Sequence, residues 1–301
     1  MSTPVNPFSK EYFEQEKAFY ALPNYTDDNG VALRGWTVLP SFHGYLTRQA
    51  WAAEYSCPVL MLKDPLANGV GGDGSGDGKG RFIASLSPQM LQAQFVPIQR
   101  AKGRVLTLGL GMGYFLLRTA AKKEVSEVVV IEVEPRIIEF FQKAFAGRKE
   151  LSKIRIVRGS AYDLENSLSA DTLGEPLQPG FDFGFVDIYS QLYSTASVRD
   201  VRYFIDGYQI SRYHFLGLER IFLESIGAPY FRDTSFSGRD SLETVPSLLY
   251  RFLRLWQQDK RAAPSQLILK DSLLDLFQRE TWPLIREGLI ADGAENEDLC
   301  F

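Results

Sequence analysis

The sequence predicts an α/β fold with a Rossmann-like parallel sheet, and two observations on residues 101 to 190 support this prediction. First, four short apolar runs, each suited to a buried parallel strand, are separated by segments with room for helices and loops. Second, each run is followed by a glycine or an acidic residue, at the end of the strand where open α/β sheets bind ligands. The expected architecture is a three-layer sandwich with a β-containing N-terminal extension and a helical C-terminal region.

Length and composition fit a globular protein of about two domains. The chain has 301 residues, of which 45% are hydrophobic, and this is enough for a packed core. We divide it into an N-terminal extension, residues 1–100, and a Rossmann-like domain with a helical C-terminal part, residues 101–301. A net charge of −4 disfavours nucleic acid as a partner, because proteins that bind phosphates are usually basic.

Cysteine content and hydropathy indicate a cytoplasmic protein. The only cysteines, Cys57 and Cys300, are far apart and show no zinc-binding spacing, so a reducing compartment fits best. The N-terminus has no apolar run like that of a signal peptide, and no segment approaches the ~20 apolar residues of a membrane span. We therefore expect no membrane partner. A homodimer stays open, as does the choice between a small-molecule and a protein acceptor.

The N-terminal extension predicts two strands, residues 58–62 and 81–85, joined by the Gly-rich segment 68–80. A phosphate-binding P-loop is excluded there, because Asp73 stands where the motif requires its first glycine. An EF-hand calcium loop beginning at Asp73 would need Glu at its twelfth position, which is Ala84. The segment is therefore predicted to be a flexible hairpin loop.

The first strand of the Rossmann-like domain, residues 105–108, leads into Gly109, Gly111 and Gly113 and then into a helix. Glycines at alternate positions allow a tight turn and the close approach of a ligand. The helix that follows offers unpaired N–H groups to a polar ligand. This pattern predicts a nucleotide or adenosyl site.

Acidic residues follow the second and fourth strands. Strand 128–131 ends in Glu132, which lies 19 residues after Gly113, close to the spacing expected for the acid that binds ribose hydroxyls. Strand 181–186 is followed by Asp187. Since parallel strands present their carboxyl ends at one edge, these residues should meet there with the end of the third strand, residues 153–157.

The four strand ends resemble those of class I S-adenosylmethionine-dependent methyltransferases, particularly the branch that contains spermidine synthase. The resemblance covers roughly the middle third of the chain, in the stretches VLTLGLGMGYF, VVVIEVEPRII, IRIVRGSAYDL and FDFGFVDIY. A NAD-binding fingerprint would require a glycine at Tyr114, so the glycine spacing favours the methyltransferases.

The resemblance implies S-adenosylmethionine as the cofactor and assigns each strand end a role. The three glycines would line its methionine and ribose portions, and Glu132 would bind the ribose hydroxyls. The third strand end would recognise adenine, although Ser160 stands where the family usually has Asp. The predicted cofactor-binding residues are Gly109, Gly111, Gly113, Glu132, Ser160, Ala161 and Asp163.

On the acceptor side, Asp187 and Tyr189 are the predicted catalytic residues, positioned to orient or deprotonate a nucleophile. Asp187 matches a catalytic Asp of aminopropyltransferases, but their second Asp is Ser190 here, and the matching upstream segment 87–94 has no carboxylate for a polyamine. The predicted function is methyl transfer to an unidentified acceptor, and the alternatives are aminopropyl transfer and adenosyl binding without catalysis. Asp187 is alternatively a helix-capping acid.

The C-terminal region predicts helices over residues 201–223, 246–259 and 270–288. Cations and aromatic rings alternate between Arg199 and His214, which indicates either a binding surface or an amphipathic helix with solvated arginines. The two histidines of the chain show no spacing typical of metal ligands, so no metal is expected.

Overall fold

The structure is a computed structural model that describes residues 10–22, 31–38, 55–63, 80–165, 176–189 and 195–218. Several predictions of the sequence analysis lie outside these ranges. They concern the Gly-rich segment before Gly80, Ser190, His43, Cys300 and the helices predicted beyond residue 218.

The N-terminal elements are α1 (Lys10–Tyr20), β1 (Val31–Val38), β2 (Tyr55–Lys63), β3 (Gly80–Ser85) and α2 (Pro88–Arg100). The elements after them are β4 (Gly103–Leu108), α3 (Tyr114–Ala120), β5 (Val125–Glu132), α4 (Pro135–Ala144), a 3-10 helix (Lys149–Lys153), β6 (Ile154–Arg158), β7 (Phe183–Val186), α5 (Thr195–Tyr208) and β8 (Tyr213–Phe215).

The N-terminal strands form an antiparallel sheet in the order β1-β2-β3. The two strands predicted in this extension are therefore confirmed as β2 and β3. Cys57 in β2 is buried as a free thiol, and burial raises the pKa of that thiol to about 11. Helix α2 follows β3 directly: Ser87 caps its N-terminus by accepting a hydrogen bond from the Met90 amide, and Pro88 occupies the first turn.

The second sheet is parallel throughout, with the order β6-β5-β4-β7-β8. All four predicted strands of the Rossmann-like domain are confirmed. The central strand β4 buries Val105, Leu106 and Leu108 completely, as a strand covered on both faces requires. The chain runs outward from β4 to β6 and then returns to β7 on the other side of β4, so the strand order reverses at the carboxyl end of β4. Ligand crevices of open α/β sheets lie at such points.

The C-terminal part of the fold corrects one prediction. The helix expected over residues 201–223 ends at Tyr208, and Tyr213–Phe215 forms a fifth parallel strand instead. Gln209 has a φ of 55°, a left-handed conformation that terminates a helix. The side chain of His214 in this strand is fully buried, and burial, with a smaller effect of Arg100, lowers its pKa to about 3.

Of the two interpretations offered for the cations and rings before His214, the described side chains fit the amphipathic helix better than the binding surface. Tyr208 and Tyr213 are buried, whereas Tyr203 and Arg212 are exposed. The rings therefore belong mainly to the core beneath α5 and β8. Within the described ranges, no helix is long and apolar enough to cross a membrane, and no group of three or more potential ligands is placed to hold a metal ion.

Candidate functional site

A cavity of about 490 Å³ lies at the carboxyl ends of β4, β5, β6 and β7. Its size is within the range of small-molecule sites, about 300–1,000 Å³. The strand ends contribute Gly109, Gly111, Glu132, Glu134, Ser160, Ala161, Tyr162, Asp187 and Tyr189 to its wall. The structure thus brings seven of the nine predicted site residues to one cavity.

Residues 109–113, which we call the glycine loop, have left-handed backbone at all three glycines, with φ of 94° at Gly109, 51° at Gly111 and 77° at Gly113. A Cβ on Gly109 would lie 2.2 Å from the Asp187 carbonyl oxygen, and one on Gly113 would lie 2.1 Å from the Phe141 ring. At Gly111 the nearest atom would be the Ala84 Cβ, at 3.7 Å. Gly109 and Gly113 therefore allow close packing, and Gly111 leaves space in the cavity.

Glu132 holds the loops on both sides of its strand. Its Oε2 accepts a hydrogen bond of 2.9 Å from the Leu110 amide, and its Oε1 accepts one of 2.8 Å from the Glu134 amide. A carboxylate has about four lone-pair sites, so two protein donors leave acceptor capacity for a ligand. Glu132 is thereby fixed in place with its carboxylate in the cavity wall.

Glu134 also lines the cavity, but its carboxylate has another partner. It caps helix α4 by accepting from the Arg136 amide, and it pairs with the Arg136 guanidinium, with an Nε to Oε1 distance of 2.8 Å. An acid at a helix N-terminus is stabilised by the helix dipole. Glu134 is therefore mainly a structural residue of α4.

Of the three predicted residues that follow β6, two line the cavity and one does not. Ser160 and Ala161 line the cavity, whereas Asp163 is exposed and lies outside the lining. Tyr162, between Ala161 and Asp163, also lines the cavity, and this residue is 48% exposed. Sequence analysis did not identify Tyr162, and an aromatic residue in a loop gives no signal of its own.

Helix α5 fixes this third strand end through three hydroxyl groups. The Tyr162 hydroxyl donates to Asp200 Oδ2 at 2.7 Å, and the Tyr203 hydroxyl donates to the Tyr162 carbonyl at 2.5 Å. The Tyr208 hydroxyl donates to the Ala161 carbonyl at 2.9 Å. The backbone that faces the cavity at this point is therefore held from behind by one helix.

Asp187 follows β7, and its amide donates to the Leu108 carbonyl at 2.8 Å. Burial, and to a smaller extent the nearby Glu132 carboxylate, raises the pKa of its carboxyl to about 7. A carboxyl of this kind exchanges a proton near neutral pH, as a general base requires.

Tyr189 lines the cavity two residues beyond Asp187. Burial raises its pKa above the usual range, and the neighbouring Tyr213, Tyr162 and Asp200 act in the same direction. The phenol therefore stays protonated, and it donates to Asp200 Oδ2 over 3.4 Å. Its chemical capacity is that of a hydrogen-bond donor rather than of a base.

Comparison with known proteins places the chain among structural neighbours only. No family model and no curated protein matches it. Spermidine synthase from Thermotoga maritima matches at 14% identity, with a TM-score of 0.31, over 50% of this chain and 48% of that one. The match thus spans about half the length of that protein.

Two further structural neighbours match over a larger share of this chain. M. capricolum TrmK, solved with S-adenosyl-homocysteine, matches at 9% identity and a TM-score of 0.33, over 65% of this chain and 98% of that one. The Methanococcus jannaschii fibrillarin pre-rRNA processing protein matches at 15% identity and a TM-score of 0.33, over 66% of this chain and 79% of that one. The Rossmann-like fold of this chain rests on its own strand order.

The N-terminal extension supplies a wall of the cavity that sequence analysis missed. Phe82, Ile83 and Ala84 of β3 and Met90 of α2 line it, together with the strand ends. The sequence predicted β3 as a strand but gave no indication of what that strand faces. Among the described residues that line the cavity there is no Lys, Arg or His, while three are carboxylates. The described wall is therefore suited to a neutral or cationic ligand.

Proposed function

We propose that this protein binds S-adenosylmethionine in the cavity and transfers its methyl group to an acceptor that is still to be identified. The observation that supports this best is the arrangement of the glycine loop and Glu132. Gly111 leaves space at the cavity wall, and the Glu132 carboxylate is fixed beside that space by two backbone amides.

The residues present fit this cofactor. A Cβ at position 111 would fill part of the space that a ligand needs. Glu132 retains lone pairs for two vicinal ribose hydroxyls, and charge-assisted bonds of this kind contribute about 1.5–3 kcal/mol each. Glu132 and an ionised Asp187 also favour a positively charged ligand. When bound, S-adenosylmethionine supplies an electrophilic methyl group on a cationic sulfur.

On the acceptor side, Asp187 and Tyr189 have complementary roles in this proposal. Asp187, with a pKa near neutrality, accepts a proton from the attacking group of the acceptor. Tyr189 keeps its proton, and its hydroxyl orients the acceptor by turning from the 3.4 Å bond with Asp200 Oδ2 to donate to it instead. Apolar side chains of Phe82, Met90 and Leu216 reduce access of water, and alignment of the reacting groups supplies most of the catalysis.

Calorimetric titration with S-adenosylmethionine and S-adenosylhomocysteine tests the proposal. Wild-type protein is expected to bind both, and Glu132→Gln to bind at least about tenfold more weakly, because it loses a charge-assisted interaction. Glu127→Gln is the matched control: Glu127 lies on the same strand, but its carboxylate pairs with Arg104 instead of lining the cavity. Absence of binding to wild-type protein at millimolar concentration would contradict the proposal.

Aminopropyl transfer is the second candidate, favoured by the position of Asp187 in the cavity wall. Against it, the upstream segment that should bind a polyamine forms part of α2, and its Gln92 and Gln94 are buried. Incubation with decarboxylated S-adenosylmethionine and putrescine distinguishes the two activities, because only aminopropyl transfer releases methylthioadenosine. Binding of adenosyl ligands without turnover on amine, protein or nucleic-acid acceptors would instead support the non-catalytic alternative.

A further inference from the structure

Helix α1, in the N-terminal extension, contacts the glycine loop at Met112, a residue that is not part of the cavity lining. The Tyr20 hydroxyl donates a hydrogen bond of 2.5 Å to the Met112 carbonyl. Both side chains are buried, and the Tyr20 ring packs edge-on against Tyr114 and Phe145. A residue 92 positions earlier in the chain thus bonds to the backbone of a loop that lines the cavity through Gly109 and Gly111.

The contact is one of several between one face of α1 and one face of α3. Glu16 and Tyr20 are four residues apart on α1, and Tyr114 and Arg118 are four apart on α3, so each pair lies on one face. The Tyr114 hydroxyl donates to Glu16 Oε2 at 2.7 Å, and Arg118 donates to both carboxylate oxygens. Burial raises the pKa of Tyr114 well above its usual value, which keeps this donor protonated.

The C-terminal end of α1 is fixed as well. Arg148 Nη1 donates to the Phe19 carbonyl at 3.0 Å and to the Tyr20 carbonyl at 3.3 Å. Two guanidinium groups lie over the Phe19 ring, that of Arg118 at 4.0 Å and that of Arg148 at 5.0 Å from the ring centroid. Cations at a helix C-terminus are favourable, so the position of Tyr20 is well determined.

We infer that Tyr20 is a positioning residue for the glycine loop and so for the ligand of the cavity, an inference that rests on the function proposed above. Glycines populate many conformations, and a loop with three of them at positive φ loses much freedom when it is ordered. The Tyr20 hydroxyl restricts that freedom before a ligand arrives. A preorganised site binds more tightly, because less ordering remains to be done on binding.

Two Tyr→Phe variants on the same helix test this inference. Tyr20→Phe removes the hydroxyl that bonds to Met112 and keeps the ring. Tyr12→Phe is the matched control, because Tyr12 is also buried on α1 but interacts with Tyr114 and packs on Phe95. We expect Tyr20→Phe to weaken S-adenosylhomocysteine binding about fivefold and to speed amide hydrogen exchange in residues 109–113 by a similar factor. Tyr12→Phe should change neither quantity by as much as twofold.

Each outcome decides the matter. Wild-type affinity and exchange in Tyr20→Phe would overturn the inference. Equal losses in both variants would also overturn it, since they would show that general packing of α1 is responsible. If wild-type protein binds neither adenosyl ligand, the proposed function fails, but exchange in the glycine loop still determines whether Tyr20 holds that loop.

Discussion

At the scale of single residues, the ionisation of Asp187 links the electrostatics of the site to ligand binding. Its pKa of about 7 means that it is mostly neutral at pH 6 and mostly charged at pH 8. If the cationic sulfonium prefers the ionised form, the affinity for S-adenosylmethionine follows the ionised fraction. We expect binding to strengthen by up to about tenfold from pH 6 to pH 8, as measured by calorimetry.

Two comparisons isolate this effect. S-adenosylhomocysteine carries the same amino acid and adenosine groups without the sulfonium charge, so its affinity should change less over this pH range. Asp187→Asn has no carboxylate to ionise at this position. In this variant, the affinities for the two ligands should therefore depend on pH to the same extent. An unchanged pH dependence in that variant would assign the titration to another group.

The same pKa makes a prediction about stability. Because folding raises the pKa of Asp187 from 3.8 to about 7, the folded state binds this proton more tightly than the unfolded state. Its contribution is therefore fully present below pH 4 and is lost as the pH rises to about 7. Asp187→Asn escapes this loss. We compare the free energy of unfolding of the variant with that of wild type, measured by urea denaturation. This difference should be about 1–2 kcal/mol more favourable to the variant at pH 8 than at pH 4, after a discount for solvent screening.

Substitutions at two glycines of the glycine loop should affect different properties, Gly109→Ala mainly stability and Gly111→Ala mainly ligand binding. Gly109→Ala would place a Cβ 2.2 Å from the Asp187 carbonyl, which cannot move without shifting β7, so we expect a loss of about 2–4 kcal/mol in unfolding free energy. Gly111→Ala meets no close atom and should lose only about 1–2 kcal/mol, from its positive φ. Chemical denaturation measures both losses. Gly111→Ala should nevertheless lose adenosyl binding, because its methyl group would lie near Ala84, between two residues that line the cavity.

Local spacing predicts some site residues and not others. Gly111 and Glu132 were found because a tight turn and a following acid leave a pattern within about 20 residues of sequence. Tyr162 and Tyr20 leave none, since their roles arise from partners 38 and 92 positions away. Asp163 was assigned by resemblance, and the structure places it outside the cavity lining.

At the scale of secondary-structure elements, α5 ends earlier in the chain than the sequence predicts. The same helix supports the site. The sequence indicated a helix through residue 223, because the apolar residues after Tyr208 suit a helix as well as a strand. Pairing of β8 with β7 decides between them, and this tertiary contact is invisible to local periodicity. The longer apolar runs of β4 and β5 were predictable, because a strand buried on both faces is apolar at nearly every position.

Tyr208→Phe tests whether α5 determines the shape of the cavity at Ala161. The variant leaves the buried Ala161 carbonyl without its hydroxyl donor, which we expect to cost about 1–2 kcal/mol in unfolding free energy. Hydrogen exchange should increase at residues 160–162, and adenosyl affinity should fall two- to fivefold. Tyr203→Phe is a useful comparison, since its hydroxyl bonds to the exposed Tyr162 and should cost less in stability. Equal stability of Tyr208→Phe and wild type would show that the Tyr208 hydroxyl does not stabilise the backbone at Ala161.

At the scale of the whole molecule, contacts join the N-terminal extension to the Rossmann-like sheet across the boundary drawn at residue 100. The extension contributes β3 and α2 to the cavity wall, and α1 packs on α3 through Glu16. Sequence analysis separated the two parts because their strand patterns differ. It had no means of predicting that a buried carboxylate on the first helix pairs with Arg118.

This ion pair predicts that the extension and the sheet unfold together. Arg118→Met leaves the Glu16 carboxylate, which is 3% exposed, without its cation, so we expect a loss of about 3 kcal/mol. Glu16→Gln should lose only about 1–2 kcal/mol, because the Arg118 side chain is 33% exposed and reaches water. The double variant should lose less unfolding free energy than the sum of the two single variants. Once one partner of the ion pair is gone, replacing the other removes no further interaction between them. Urea unfolding followed by tryptophan fluorescence and by circular dichroism should give one coincident transition in every variant. Two separate transitions, or additive losses, would show that α1 folds independently of the sheet.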